Sequence, residues 1–189
     1  RGAENGILIK GGEHLEMMCR LNAVVLDKTG TVTKGQPEVT DVIPLGNMER
    51  GYVLRLAAVA EKNSEHPLGE AIYEYGIKEA NTIPDAEQFG AIPGKGVRAV
   101  VDEREIYIGT RMLMQETGID TEPAEAVIAG LEDEGKTAML MAADGRLEAV
   151  MAVADTLKEG SKEAIDELKK MGIEAYMITG DNKRTAASI

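Results

Sequence analysis

The pattern of hydrophobic and polar positions is similar at the two ends of the chain and different in the middle. Residues 23–26 are apolar without alternation, which predicts a strand buried on both faces in a parallel sheet. Residues 159–171 place apolar side chains at helical spacing between lysines and glutamates, and Gly172 follows as a stop signal. A second unalternated run, residues 175–179, comes next. The outer stretches therefore predict strands of one α/β sheet joined by a crossover helix.

The middle stretch mixes helices and strands in another order. Residues 52–78 have helical periodicity that breaks around the sequence "NSEHPLG", and residues 97–108 alternate as strands do. A helix over 123–133 leads into strand patterns at 137–143 and 147–155. Such α+β material between two halves of an α/β sheet indicates an inserted domain.

These patterns predict a domain organisation for the whole chain. We expect the outer domain at residues 1–34 and 152–189 and the inserted domain at residues 35–151. The chain opens at Arg1 without a methionine and closes within a helical pattern. We therefore expect it to be a piece of a longer protein.

Composition narrows the range of partners. A formal net charge of -12 and an aromatic content of 3% argue against a nucleic-acid partner, because little is present to bind phosphates or to stack on bases. The one cysteine, Cys19, cannot form an internal disulfide, which suits a reducing compartment, and we expect it to be partly buried. No run approaches the roughly 18 apolar residues of a membrane helix.

Both outer strands end in polar residues that can carry chemistry. Asp27 follows the first strand, and Thr179, Gly180 and Asp181 follow the second. Ligands of open α/β sheets collect at the carboxyl ends of strands, so we expect Asp27 and Thr179 at one sheet edge. Taken alone, Asp27 before a glycine also fits a capping or turn residue.

The combination of the two strand ends indicates phosphoryl transfer to Asp27. A carboxylate is ionised at neutral pH and needs no base to act as a nucleophile, while Mg²⁺ and Lys28 would relieve its repulsion from a phosphate. Thr179 and the backbone of Gly180 can donate hydrogen bonds to the phosphoryl oxygens. Phosphatases with an aspartate nucleophile commonly carry a second Asp two residues later, where this chain has Thr29. Threonine cannot serve as general acid or base, which predicts a longer-lived aspartyl phosphate.

Two other motifs lack the structural context that their chemistry needs. Residues 130–137 match the P-loop expression, but a helix precedes them, a strand follows, and three acidic residues lie within them. Residues 94–99 resemble a dinucleotide fingerprint, but strand-like residues follow. Gly94 and Gly96 fit either a close ligand contact or a simple turn.

The two histidines differ in context. His14 fits an exposed helical position. His66 precedes Pro67, and Ser64 or Asn63 can cap the next helix. His66 therefore fits either a helix junction or an imidazole presented to a ligand.

The motifs together resemble the heavy-metal-transporting branch of the P-type ATPases. The chain contains "DKTGTVTKGQPEVTDV", "SEHPLGEAI", "PGKGV", "GKTAMLMA" and "MITGDN" in that family's order, so the resemblance covers nearly its whole length. It implies a haloacid-dehalogenase-like phosphorylation domain, incomplete here, split by an inserted α+β nucleotide-binding domain with an antiparallel sheet. ATP and Mg²⁺ are the implied cofactors.

Residue roles follow from the same resemblance. Asp27 matches the phosphorylated aspartate, the carbonyl of Thr29 an Mg²⁺ ligand, and Thr179 the phosphate-holding threonine. Lys28, Gly180 and Asp181 belong to the same two motifs.

The residues that match the adenine end of the nucleotide site are Glu61, His66, Gly94 and Gly96, and Gly109 belongs to a further motif that contacts the nucleotide. Thr110 stands where the family often has Asn.

The resemblance also implies parts that lie outside this sequence. The family's later phosphate-binding Lys and its "GDGxND" segment are absent, as are the actuator domain and the membrane helices. We expect the cytoplasmic part of an integral membrane protein that binds ATP with little or no turnover by itself. The resemblance of "SEHPL" and its surroundings implies copper(I) as the transported ion, which would bind outside this sequence; zinc, cadmium and lead are the alternatives. A phosphatase with a cap domain is the other alternative.

Overall fold

The computed structural model describes residues 6–80 and 82–178. The described chain forms two compact units. One combines residues 6–33 with residues 157–178, and the other consists of residues 34–80 and 82–156. The division at 156 falls near the end of a long strand, so the expected boundary after Met151 lies inside that strand. Among the described residues, no helix has the length and hydropathy needed to span a membrane.

The first unit contains a pair of parallel strands. Its complete elements are α1 (Gly12–Met18), β1 (Ala23–Asp27), α6 (Ser161–Lys170) and β8 (Glu174–Ile178). Strand β1 pairs with β8 in parallel, from Ala23 opposite Glu174 to Asp27 opposite Ile178. This confirms the expected parallel pairing of the two outer strands. Thr179, Gly180 and Asp181 lie outside the described residues.

Strand β1 is less buried than its apolar sequence predicts. Val25 is 57% exposed and Ile178 on β8 is 63% exposed. The expectation of burial on both faces is therefore wrong for the described residues, because β8 is the one strand that pairs with β1 there. Cys19, expected to be partly buried, is exposed, whereas His14 is exposed on α1, as expected.

The second unit is built on a six-stranded sheet with the order β2-β7-β6-β5-β4-β3. Its strands are β2 (Thr33–Pro44), β3 (Gln88–Ile92), β4 (Gly96–Val101), β5 (Arg104–Gly109), β6 (Thr137–Ala143) and β7 (Arg146–Leu157). The four pairings from β7 through β3 are antiparallel. Its helices are α2 (Arg50–Glu61), α3 (Pro67–Ala80), α4 (Arg111–Glu116) and α5 (Glu125–Asp133). The expected antiparallel sheet of the inserted domain is therefore confirmed.

The central strands separate two hydrophobic clusters. On β6, Met139 and Met141 belong to a cluster with residues of α2 and α3, whereas Leu140 and Ala142 belong to a cluster with residues of α4 and α5. Successive side chains of a strand point to opposite faces, so a strand between two clusters must be apolar at every position. This explains why the sequence of β6 does not alternate.

Candidate functional site

The carboxyl end of β1 turns sharply into the segment Lys28–Val32. Thr29 has φ −74° and ψ 121°, and Gly30 has φ 75° and ψ −5°. These angles define a type II turn, whose third position requires the left-handed conformation that glycine adopts without strain. Asp27 and Thr29 are exposed at this turn, whereas the Lys28 side chain is buried. The turn therefore presents the carboxylate of Asp27 to solvent.

Side chains that the sequence motifs did not single out hold this turn. Thr33 is fully buried, and its hydroxyl donates to the Lys28 carbonyl at 3.0 Å and accepts from the Gly30 amide at 3.4 Å. The Lys158 ammonium group donates to the Gly30 carbonyl. The Ser161 hydroxyl donates to the Val32 carbonyl at 2.8 Å. The chain after β7 thus fixes the backbone that carries Asp27.

A separate pocket lies within the second unit. Its volume is about 390 Å³, which falls in the range of small-molecule sites. The five residues that the resemblance assigned to nucleotide all line it: Glu61, His66, Gly94, Gly96 and Gly109. Its other lining residues include Ser64, Gly69, Lys95, Thr110 and Thr137. Residues far apart in sequence are therefore brought together in one cavity.

Glu61 is a buried acid at this pocket. It ends α2 with 2% of its surface exposed. Burial raises the pKa of Glu61 to about 7, because desolvation disfavours the charged carboxylate, and a hydrogen bond with Ser64 opposes that shift only in part. A Cβ atom at Gly69 would overlap with the Glu61 carboxylate and the Ser64 hydroxyl. The first turn of α3 can therefore approach Glu61 only because position 69 is glycine.

His66 caps the helix that follows it. Its Nδ1 atom accepts a hydrogen bond from the Leu68 amide at 3.2 Å, and Pro67 occupies the first helical position. The imidazole itself caps α3, in the place expected for Ser64 or Asn63, while the Ser64 hydroxyl accepts from the His66 amide at 3.4 Å. With Nδ1 as an acceptor, the neutral imidazole carries its proton on Nε2. His66 is exposed and can therefore cap α3 through Nδ1 and still offer the Nε2 proton to a ligand.

Two glycines face each other where β4 and β5 meet the pocket. Gly96 pairs with Gly109, and Gly96 has φ 148°, which favours glycine. A Cβ atom on Gly96 would overlap with the Ile108 carbonyl, and one on Gly109 with the Lys95 carbonyl. Both positions therefore require glycine for strand contact alone. The pocket wall at this point consists of bare backbone.

Residues 130–137 and Thr110 both have structural roles in the second unit. Residues 130–137 run from the end of α5 into β6, and Glu132 within them pairs with Arg111 at 2.7 Å, so the structure contains no P-loop there. Thr110 is the N-cap of α4, with its hydroxyl accepting from the Leu113 amide at 3.4 Å. Thr110 therefore has a structural role besides lining the pocket.

Metal-binding groups are sparse. In residues 6–80 and 82–178, no group of three or more His, Cys, Asp or Glu side chains is placed to hold a metal ion. The carboxylate of Asp27 and the carbonyl of Thr29 are the oxygen donors that Mg²⁺ prefers, and both residues are exposed at the turn. The donors at the end of β1 thus fit Mg²⁺ in kind.

The fold and the site define the class of the protein. Two parallel strands carry an aspartate at their carboxyl edge, and an α+β unit is inserted in the chain between them. The chain belongs to the haloacid dehalogenase-like hydrolases, whose family model matches residues 21–189. It is 48% identical over its whole length to a copper-exporting P-type ATPase of Bacillus subtilis and 47% identical to a probable copper-exporting P-type ATPase of Archaeoglobus fulgidus. The chain spans about a quarter of these relatives, 24% and 23% of their lengths.

Solved structures agree with this assignment. The crystal structure of a zinc-transporting PIB-type ATPase in its E2.Pi state matches 99% of this chain and 30% of its own, with a TM-score of 0.90 and 34% identity. The N-domain of a copper-transporting P-type ATPase matches 63% of this chain and 99% of its own, with a TM-score of 0.54 and 28% identity. The expected resemblance to the heavy-metal branch of the P-type ATPases is therefore confirmed.

Proposed function

We propose that the second unit binds the adenine nucleotide of Mg-ATP in its pocket and that Asp27 accepts the γ-phosphoryl group. The observation that carries this proposal is the convergence of Glu61, His66, Gly94, Gly96 and Gly109 on one cavity of about 390 Å³. They are the residues that the family resemblance implied for the nucleotide site.

The pocket offers adenine two kinds of contact. Glu61 and the Nε2 proton of His66 supply hydrogen-bonding groups, and the imidazole supplies a flat face for stacking. The glycine pair Gly96 and Gly109 leaves a backbone wall that a planar base can approach closely. The mostly glycine and aliphatic lining excludes water from the base, which supports a purine better than a polar metabolite.

The chemical step is attack by an Asp27 carboxylate oxygen on the γ-phosphorus. The new bond joins that oxygen to phosphorus, the bond to the bridging oxygen breaks, and ADP departs with the electron pair. Asp27 and Thr29 would hold Mg²⁺, which supplies charge neutralisation for this transfer. Thr33, Lys158 and Ser161 hold the turn in place. Thr29 cannot act as a general acid or base, so the aspartyl phosphate persists.

In the longer protein, we propose that this phosphorylation drives export of a heavy-metal ion. The cytoplasmic location, the actuator and membrane partners, and the transport activity are all part of this proposal. Copper(I) is the favoured cargo, since the relatives that share 46–48% identity are named copper exporters. Zinc is the competing cargo, because the similar solved structure, at 34% identity, is that of a zinc-transporting ATPase. Stimulation of ATP hydrolysis by each ion in the full-length protein separates the two.

Calorimetric titration of this chain with Mg-ATP tests the nucleotide site. We expect His66→Ala to weaken ATP binding by about tenfold or more, because it removes both a ring contact and a donor. His14→Ala is the matched control, since His14 is the other histidine and is exposed on α1. Equal ATP affinity of the His66 variant and the wild type would contradict the proposed site.

Phosphoenzyme chemistry tests the role of Asp27. We expect the chain by itself to bind nucleotide with little or no turnover, and robust steady-state ATP hydrolysis would contradict this. In the full-length protein, Asp27→Asn should abolish an acid-stable, hydroxylamine-sensitive phosphoenzyme without reducing ATP affinity. A phosphatase with a cap domain would instead hydrolyse small phosphate esters and leave no long-lived phosphoenzyme.

A further inference from the structure

Among the described residues, the pocket is lined by a single lysine or arginine side chain. Of the described residues that line it, Lys95 alone is a lysine or arginine, whereas Glu61 and Glu65 are acidic. A nucleoside triphosphate would bring several negative charges to this pocket, in a chain with a formal net charge of -12. A cation close to the phosphates would therefore have a large effect on affinity.

Glu116 holds this lysine. The Nζ atom of Lys95 lies 2.8 Å and 2.7 Å from the two carboxylate oxygens of Glu116, and the two side chains are 30% and 52% exposed. The backbone of Lys95 is fixed independently, because its amide donates to the Ile92 carbonyl at 3.0 Å and its carbonyl accepts from the Thr110 amide at 2.8 Å. The ion pair can therefore break by side-chain rotation alone, without movement of the strands.

The local structure does not require an acid at position 116. Glu116 is the last residue of α4, an end at which the helix dipole disfavours a carboxylate. An ion pair as exposed as this one contributes little to stability. A phosphate group offers the lysine a stronger charge and several acceptor oxygens in place of one carboxylate. Exchange of Glu116 for phosphate is thus favourable for the ammonium group.

We propose that Lys95 binds the phosphate groups of the nucleotide and that Glu116 competes with them for its ammonium group. This inference rests on the proposed nucleotide site and adds to it a phosphate contact and a means of setting affinity. The competition lowers the affinity for ATP and ADP and leaves the affinity for adenosine unchanged. Lys95 is then the residue by which the pocket distinguishes a nucleotide from a nucleoside.

Titrations with Mg-ATP and with adenosine test the proposal. Lys95→Met should weaken ATP binding by about tenfold, and Glu116→Gln should strengthen it by about threefold, with adenosine affinity unchanged in both variants. In the double variant, the gain from Glu116→Gln should disappear, because the carboxylate acts through Lys95. Raised salt should shrink both effects.

Glu105→Gln is the matched control for charge. Glu105 pairs with Arg98 at 2.6 Å and is not among the residues that line the pocket, so the variant makes the same charge change in another ion pair. We expect ATP affinity to change by less than about twofold. A threefold gain in ATP affinity in this control as well would show that the Glu116 effect comes from overall charge, and it would refute the proposed competition for Lys95.

The outcomes separate this inference from the function on which it rests. If the wild type binds no ATP, the proposed nucleotide site itself fails. If the wild type binds ATP and His66→Ala weakens it, but neither Lys95→Met nor Glu116→Gln changes the ratio of ATP to adenosine affinity, the phosphate role of Lys95 alone is refuted. Far-UV circular dichroism of each variant checks that the fold is retained.

Discussion

The buried carboxyl group of Glu61 makes the stability of the chain depend on pH, and Glu61→Gln should remove that dependence. Desolvation raises the pKa of Glu61 from its ordinary 4.5 to about 7. The folded state therefore binds the proton more tightly than the unfolded state does. The resulting stabilisation is complete below about pH 4.5, declines as the pH rises, and is lost above about pH 7.

The magnitude follows from the gap between the two pKa values. A gap from 4.5 to about 7 corresponds to about 3 kcal/mol once Glu61 is fully ionised in both states. Between about pH 5 and about pH 8, the wild type should lose roughly 2 to 3 kcal/mol of this contribution. Glutamine has nearly the same shape, can still hydrogen-bond to Ser64 and does not titrate. The stability of the variant relative to the wild type should therefore rise with pH by that amount.

Urea denaturation without nucleotide, followed by far-UV circular dichroism at several pH values, measures this difference. Glu74→Gln is the control, because Glu74 lies on α3 in an exposed position and its carboxylate stays in water in both states. Its difference from the wild type should change little with pH. A Glu61→Gln difference that stays constant within about 0.5 kcal/mol would refute the idea that this acid is buried at an energetic cost.

Further predictions concern the glycine, threonine and cap positions. Gly69→Ala should destabilise the chain by about 1 to 3 kcal/mol and weaken ATP binding, since its Cβ would overlap with Glu61, whereas Gly51→Ala, with open space at its Cβ, should be neutral or stabilising in the same urea titrations. Thr110→Ala should lose about 1 kcal/mol through the missing cap of α4, while Thr110→Asn should retain that stability and bind ATP at least as well by calorimetry. Thr33→Val should cost about 1 to 2 kcal/mol by chemical denaturation, because it leaves the Lys28 carbonyl without its hydroxyl donor.

Much of the fold could be predicted because hydrophobic periodicity is a local property. The helices α2, α3, α5 and α6 and the strands β4 to β8 all overlap the predicted stretches, with ends that differ by at most two residues where they extend beyond them. Strands β2 and β3 and helix α4 were not predicted. Strand β2 contains Gly35 and Pro37, which weaken a strand signal, and β3 is a short strand with Gly90 in its middle. Their strand character comes from pairing with β7 and β4, which is not visible in a local window.

Some residues of the candidate site could likewise be predicted from the sequence, and others could not. The pattern of residues indicated Asp27, which follows a strand, whereas Glu61 and the ligand role of His66 came from the family resemblance. The same signals did not identify Lys95 or Ser161. Lys95 lies between the two glycines of "PGKG", but its ionic partner is on another element, and Ser161 contacts a carbonyl that is 129 residues away in sequence.

The sequence by itself determined where strands end in polar residues and which family the motifs resemble. Only the tertiary structure decided that Glu61 is buried enough to shift its pKa and that Glu116 holds Lys95. The physical reason is that turns and periodicity depend on neighbours in the chain, whereas desolvation and ion pairing depend on groups that folding brings together from separate elements.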